Sequence, residues 1–396
     1  MKVEVIVHES GDLLPILLDC DDMPIPAPNE FIISRRALSP NTLTKNLREL
    51  SVFYKWLEKQ GMDLDVCINS RRGFTEAEIK GSLIEFLRQD HESRRNVKKL
   101  VVTPNTFNQR LLTVRQYLVW VYDIAICSLP KSSEDYASIV DDKSRLLELI
   151  ESSFIQAPAG NRLARKGLKN TEVDCLIRIL DPKNRQGFGK FQAVKYRNYI
   201  MTMIMLYYGL RPGELLSLRV QDIEIGAISC IRVVRRAPDI KDERKPRPQI
   251  KRNGRVLPIE DSVFAKVLDQ YILHWRELLE EKSDVETDYL ILSDEGEPLS
   301  QSSITQFYQL LRKRYPRELP KNLTAKSLRH TFSSEMEKVL RRSGMDEDKR
   351  KQALAYLRGD SSLSSQDVYI AQEVEESAKS ALQSYQRNLI QEDLPW

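Results

Sequence analysis

Apolar side chains recur at Leu43, Leu47, Leu50, Phe53, Tyr54 and Leu57, the spacing that lines one face of an α-helix. Ser39-Pro40-Asn41-Thr42 ahead of them supplies a cap and a proline for the first turn, and Gly61 closes the segment. The same punctuation returns at Thr103-Pro104-Asn105, followed by an apolar stripe of Phe107, Leu111, Val114, Leu118 and Val121. Between the two, TEAEIKGSLIEFLRQ predicts another helix, so residues 37–155 read as a small all-helical domain. Residues 1–36 read as an N-terminal extension, in which KVEVIVH alternates like a strand and PIPAPNE interrupts the pattern with three prolines. Residues 156–170 hold QAPAGNRLARKGLKN, without helical period and rich in base, and read as an interdomain linker.

A larger domain is expected over 171–396. TEVDCLIRILD opens it, with Thr171 as cap and Glu172 and Asp174 at the positive end of the helix dipole. Residues 194–210 are mostly apolar, too short to cross a bilayer and ended by Gly209, which predicts a buried helix. AISCIRVVRR and RVLPIE read as strands about the hairpin signal Asn253-Gly254. FAKVLDQYILHWRELLE, SQSSITQFYQLLRKRY, AKSLRHTFSSEMEKVLRR and EVEESAKSALQSYQRNLI then read as helices. The fold class is therefore mainly α with a small antiparallel β-sheet.

Composition narrows the chemistry. With 396 residues the chain has room for two or three domains, and 41% apolar residues exclude disorder as the main state. Five scattered cysteines with no C-x-x-C pair fit neither a disulfide framework nor a zinc site, and are expected as reduced, mostly core thiols. The four histidines, His8, His91, His274 and His330, are likewise widely separated, so no metal site is expected. No membrane segment or signal pattern is evident, which predicts a cytoplasmic, nucleoid-associated protein. A net charge of +4 says little, but its distribution is uneven: Arg232–Arg255 holds ten Lys or Arg against three acids. Arg312–Arg329 and the linker are also basic. Chain-distant basic stretches of this kind suit a phosphate-lined partner such as double-stranded DNA, with Arg162, Arg165, Lys166, Lys169, Arg252 and Arg255 as candidate contacts. Solvated loops would carry the same charges.

Three segments, in this order, resemble the boxes of the tyrosine recombinase (phage integrase) family. YYGLRPGELLSLRVQDI at 207–223 is similar to its first box, KSLRHTFSSEM at 326–336 to its second, and LRGDSSLSSQDVY at 357–369 to its tyrosine box. QIKRNGRVLPIE resembles the family's lysine hairpin, and the S-P-N-T helix its core-binding domain. The resemblance implies a helical, SAM-like core-binding domain and an α+β catalytic domain closing on duplex DNA as a C-clamp. It implies Arg211 and Arg329 as catalytic arginines, Lys251 as general acid, with Lys245 and Arg252 nearby, Lys326 on a phosphate, and Tyr369 as nucleophile. Glu214 and His330 would support the site, unless Glu214 merely serves a helix N-terminus and His330 is a core histidine. It implies no cofactor, a homotetramer assembled on DNA, and a place for an accessory directionality factor. The last helix, apolar at Ala378, Leu382, Tyr385 and Leu389, would dock on a neighbouring subunit or on its own domain.

Chemistry agrees with these assignments. A tyrosine hydroxyl can break a phosphodiester and keep the bond energy in a phosphotyrosine, so religation needs neither metal nor ATP. Two guanidinium forks suit the charge that gathers on the phosphoryl oxygens. Two positions depart from the family: Lys326 replaces a histidine, and Asp360, nine residues before Tyr369, stands where the family has His or Trp. An ionised carboxylate only accepts and is repelled by phosphate, so Asp360 is expected to point away and pair with a basic neighbour, or to cede its role. The leading expectation is a site-specific recombinase, the integrase of a mobile element. The alternatives are a DNA-binding protein on the same fold with lost cleavage, or a type IB topoisomerase-like enzyme.

Overall fold

The computed structural model describes residues 1–9, 12–70, 72–91, 101–156, 167–184, 187–237, 239, 241–250, 254–360 and 368–390, the side chains of 368–373 and 388–390 excepted. It divides into two compact units, Met1–Gly160 and Asn161–Trp396.

The first unit opens with an antiparallel hairpin, β1 (Lys2–Val7) and β2 (Leu13–Leu18), with Lys2 opposite Leu18. Six helices follow: α1 (Pro26–Ser34), α2 (Pro40–Gln60), α3 (Leu64–Asn69), α4 (Ile84–Arg88), α5 (Pro104–Cys127) and α6 (Glu134–Glu151). Ser39 and Thr103 cap α2 and α5 as expected, their hydroxyls accepting the backbone N–H of Thr42 and Thr106. The two stripes read from the sequence meet in one core, where Leu47, Leu50, Phe53, Leu111 and Val114 are fully buried. A buried polar bridge fixes their register: Asn46 donates to Thr113 (3.0 Å), which donates to Glu49 (2.6 Å). The segment between them winds one wide turn, Ala77–Leu83, before α4.

Residues 1–36 differ from the expected extension. Leu17, Phe31 and Ile32 are buried in the same core as α2. Pro26 and Pro28 begin α1 instead of breaking the chain, because a first-turn residue has no intrahelical use for its N–H and the proline φ already suits a helix, while Pro24 bridges Leu18 ahead of it.

The second unit is built round α8 (Gln192–Tyr208), buried from Ala193 to Tyr208 except at Lys195. Before it comes α7 (Asn170–Leu180), which starts two residues earlier than expected: the N-cap is Lys169, whose N–H Glu172 accepts, and not Thr171. After α8 come the short α9 (Pro212–Leu216) and a three-stranded antiparallel sheet, β3 (Ile223–Glu224), β4 (Cys230–Val233) and β5 (Arg255–Pro258), in that order. Val233 pairs with Arg255, so the connection from β4 to β5 is the long stretch 234–254, and Asn253 lies outside the described residues. Gly254 abuts β4, where a side chain would meet the Val233 carbonyl at 2.6 Å. Helices α10 (Ser262–Gln270), α11 (Glu277–Glu280), α12 (Gln301–Arg314), α13 (Ala325–Arg342), α14 (Glu347–Arg358) and α15 (Val368–Ile390) complete the unit.

Helix α15 packs on its own unit. Ala378, Leu382 and Tyr385 are buried, and the Tyr385 hydroxyl donates to the Leu206 carbonyl of α8 (3.1 Å). Cys67 and Cys230 are core thiols, whereas Cys20 and Cys127 are exposed, so the cysteines are not mostly core. No described helix is long and apolar enough to cross a membrane.

Candidate active site

Helix α8 ends at Gly209, whose left-handed conformation (φ 59°) turns the chain away from the helix axis. A side chain there would meet the Phe332 ring of α13 at 2.2 Å, so glycine is required twice over. Two residues on, Arg211 sits at the N-cap of α9 with Pro212 in the first turn. Glu214, one turn into α9, bends back: its carboxylate accepts from the Arg211 backbone N–H (3.1 Å) and guanidinium (2.8 Å).

Arg329 comes from the second turn of α13, which Thr324 starts by accepting the Ser327 N–H. Its guanidinium donates to the Gly209 carbonyl (2.7 Å) and to the Arg358 carbonyl (3.0 Å). Arg211 donates to the carbonyls of Arg358 and Gly359, each at 3.2 Å. The C-terminal end of α14 is thus the common floor on which two arginines from distant parts of the chain converge.

The third component of that floor is Asp360. Its carboxylate accepts from Arg211 and from Arg329 (3.1 and 3.2 Å), and pairs with Arg358 at 2.9 Å. The expectation that Asp360 points away is therefore wrong in its direction: it has the basic neighbour foreseen, Arg358, but its carboxylate faces the two arginines. The cause is local. Gly359 closes α14 in the left-handed conformation (φ 61°), and the Asp360 N–H reaches back to the Ala355 carbonyl (2.8 Å), which fixes its Cα beside the guanidiniums.

Burial separates the charges into two layers. Glu214 and Arg255 are 2% and 1% exposed and pair at 3.0 Å, with Arg255 also donating to the Leu357 carbonyl (2.8 Å). Burial pushes the Glu214 carboxyl up, but Arg255 and Arg211 outweigh it and hold the group below the usual carboxylate range. Above this layer lie Arg211, Asp360 and Arg358, each about a third exposed. Arg329 lies between, and its burial, reinforced by Arg211 and Arg358, lowers its pKa to about 10, against the opposing pull of Asp360 and Glu214.

Of the residues singled out in the sequence, Arg211, Glu214, Arg329 and Asp360 are brought together. Lys326 is exposed in the first turn of α13, and His330 is half-buried beside Arg329. Tyr369 is the second residue of α15, its side chain outside the described residues. Lys251, Arg252, Arg162, Arg165 and Lys166 also lie outside them. Lys169 is exposed at the start of α7. Arg255 does not face a polyanion: it is enclosed under Gly359, where a side chain would strike it at 2.4 Å, and it serves Glu214. Arg358 was not anticipated, and its place immediately before Gly359 was the available signal. Among the described residues no group of His, Cys, Asp and Glu could hold a metal ion.

Residues 167–375 match the family model described as the phage integrase family. Among solved structures, the chain is similar to the XerH site-specific recombinase bound to palindromic difH substrate in a post-cleavage complex. Identity is 16% over 89% of this chain and 84% of that one, with a TM-score of 0.53. It is also similar to the Tn1549 transposon integrase in complex with transposon right end DNA (16% identity, 85% and 98% covered, TM-score 0.40). The XerA recombinase is a third (18% identity, 86% and 98% covered, TM-score 0.33). The XerH likeness supports a shared fold, and the other two superpose too loosely to carry an argument. No curated protein matches the sequence significantly.

Proposed function

The chain belongs to the phage integrase family of DNA recombinases, and from that premise we propose that it cuts and rejoins duplex DNA through a covalent 3′-phosphotyrosine on Tyr369. The observation that carries the reading is the convergence of Arg211 and Arg329, from α9 and α13, on one set of acceptors at the end of α14. Two guanidiniums held in that way form a fork-on-fork site for the non-bridging oxygens of a phosphodiester. In the proposed reaction the Tyr369 oxygen attacks phosphorus and its proton departs to solvent or a neighbouring base. The P–O bond to the 5′-oxygen breaks, and that oxygen takes a proton from Lys251. Charge that gathers on the phosphoryl oxygens is met by Arg211 and Arg329, with Lys326 adding a point charge from the rim. Glu214, itself paired with Arg255, holds the Arg211 guanidinium from beneath. Reversal by a 5′-hydroxyl restores the phosphodiester, and the retained ester energy makes ATP unnecessary.

Duplex DNA is the proposed partner, as for the XerH recombinase, whose structure holds its difH substrate. Assembly as a tetramer on DNA, integration of a mobile element and an accessory directionality factor belong to the same proposal. A second reading has one observation in its favour. The Asp360 carboxylate between the two arginines suits a DNA-binding protein on this fold that cleaves poorly or not at all.

Covalent trapping separates the two. The protein is incubated with a nicked substrate carrying its element ends, denatured, and examined for a DNA-linked band. A band in wild type that is absent in Tyr369→Phe supports the recombinase. Specific binding without a band in either supports the non-cleaving reading.

A further inference from the structure

A carboxylate and a phosphodiester offer an arginine fork the same thing, two oxygens that share negative charge. Asp360 already presents such a pair to both arginines: Arg211 donates to Oδ1, and Arg329 to Oδ1 and Oδ2. Two anions cannot share the forks, because each would face the other at short range in a partly enclosed pocket. The Asp360 backbone is held by the α14 cap, with its N–H on Ala355, so a different placement of the carboxylate requires only side-chain rotation. Arg358, next in the chain but one and about a third exposed, already holds Oδ2 at 2.9 Å and can keep it when the two forks let go.

We propose that Asp360 is an internal substitute for the scissile phosphate, seated on Arg211 and Arg329 in the DNA-free protein and displaced toward Arg358 when a phosphodiester binds. This inference rests on the reading of Arg211 and Arg329 as the phosphate clamp. The substitute has two effects. It neutralises and orders guanidiniums that would otherwise repel one another; burial is the main cause of the lowered Arg329 pKa, and Arg211 and Arg358 add to it. It also makes specificity at the reaction centre: a phosphate that arrives without the remaining DNA contacts must compete against a covalently tethered carboxylate. Only the fraction of molecules with Asp360 displaced is competent, and apparent affinity falls by that fraction. The factor is the same for every DNA, and it shows most where binding is far from saturation, as on non-target DNA with fewer supporting contacts.

The test uses the full chain and inorganic phosphate as probe. Asp360→Asn keeps the volume and removes the charge; Asp360→Ala removes both and serves if the first variant does not fold, with melting temperature in phosphate-free buffer as the check. Calorimetric titration should show inorganic phosphate binding at least about tenfold more tightly to either variant than to wild type. Adding Arg329→Gln should abolish the gain. Phosphate affinity unchanged or weakened in the variants overturns the inference. The same proteins are then assayed for the covalent adduct on the nicked substrate. Tighter phosphate binding with an adduct that forms faster on non-target DNA supports both the substitute and the recombinase. Tighter phosphate binding with no adduct in any variant keeps Asp360 in its proposed place and removes the recombinase reading instead.

Discussion

Replacing Glu214 by Gln tests the buried layer beneath the arginines. The substitution keeps shape and one acceptor oxygen but removes the negative charge facing Arg255, whose side chain is 1% exposed. At that depth the relevant regime is a broken buried pair, about 3–5 kcal/mol, because the surviving guanidinium keeps the Leu357 carbonyl but loses its counter-charge away from water. The contact with Arg211 adds little, since that side chain is 28% exposed and solvent screens it to about 0–1 kcal/mol. The expected loss is therefore about 3–5 kcal/mol in the second unit. Native-state hydrogen exchange of the buried α8 amides in urea isolates that unit from the first. The double variant Glu214→Leu with Arg255→Met should recover at least about 2 kcal/mol of the loss, because removing both charges leaves nothing stranded. The pH dependence has a definite sign. The folded Glu214 carboxyl lies below the usual range, so its stabilisation is complete above the unfolded-state value and disappears as pH falls through the folded one. The gap between wild type and Glu214→Gln should close only in that acid window. A loss below about 1 kcal/mol at neutral pH, or strict additivity in the double variant, would refute the reasoning.

Gly209→Ala should lower stability by about 2–4 kcal/mol, the sum of a left-handed alanine and a methyl driven into Phe332. Gly61→Ala, with the same backbone conformation and open space around it, should lose only about 1 kcal/mol, and equal losses in urea unfolding would count against the steric argument. Thr331→Val removes the acceptor for the Leu168 N–H (2.7 Å) where the chain enters the second unit, at about 1–3 kcal/mol. Thr331→Ser should behave as wild type, and the readout is the exchange rate of the Leu168 amide. Tyr369→Phe should leave DNA affinity and its salt dependence unchanged while the covalent band disappears, measured on one preparation.

What was readable in the sequence was whatever local chemistry imposes. Arg211 is legible because Gly209 and Pro212 frame a helix end and a helix start around it, and Arg329 because a capped apolar helix carries it. The stripes of α2 and α5 were legible for the same reason: period alone places them in the core. Partnerships were not. Glu214 and Arg255 are 41 positions apart, and a basic run says nothing about which of its members folds inward, so Arg255 was expected at the surface. The prolines before α1 were misread because proline breaks a helix interior yet suits its first turn. Asn253-Gly254 misled because the turn signal is local, whereas β4 pairs with β5 from Val233 to Arg255 and leaves the long stretch 234–254 between them.

Much of the floor of the site is main chain. Gly209, Arg358 and Gly359 hold the two guanidiniums through carbonyl oxygens, and such an oxygen is present whatever side chain the residue bears. The distance between the arginines is thereby inherited from the topology, from where α8 stops and where α14 stops. Side chains that do not touch the two arginines can change without loosening the clamp, provided the two helix ends keep their glycines. A chimera that exchanges the outer faces of α13 and α14 between distant relatives should keep a working clamp, while a one-residue insertion before Gly209 or Gly359 should dismantle it.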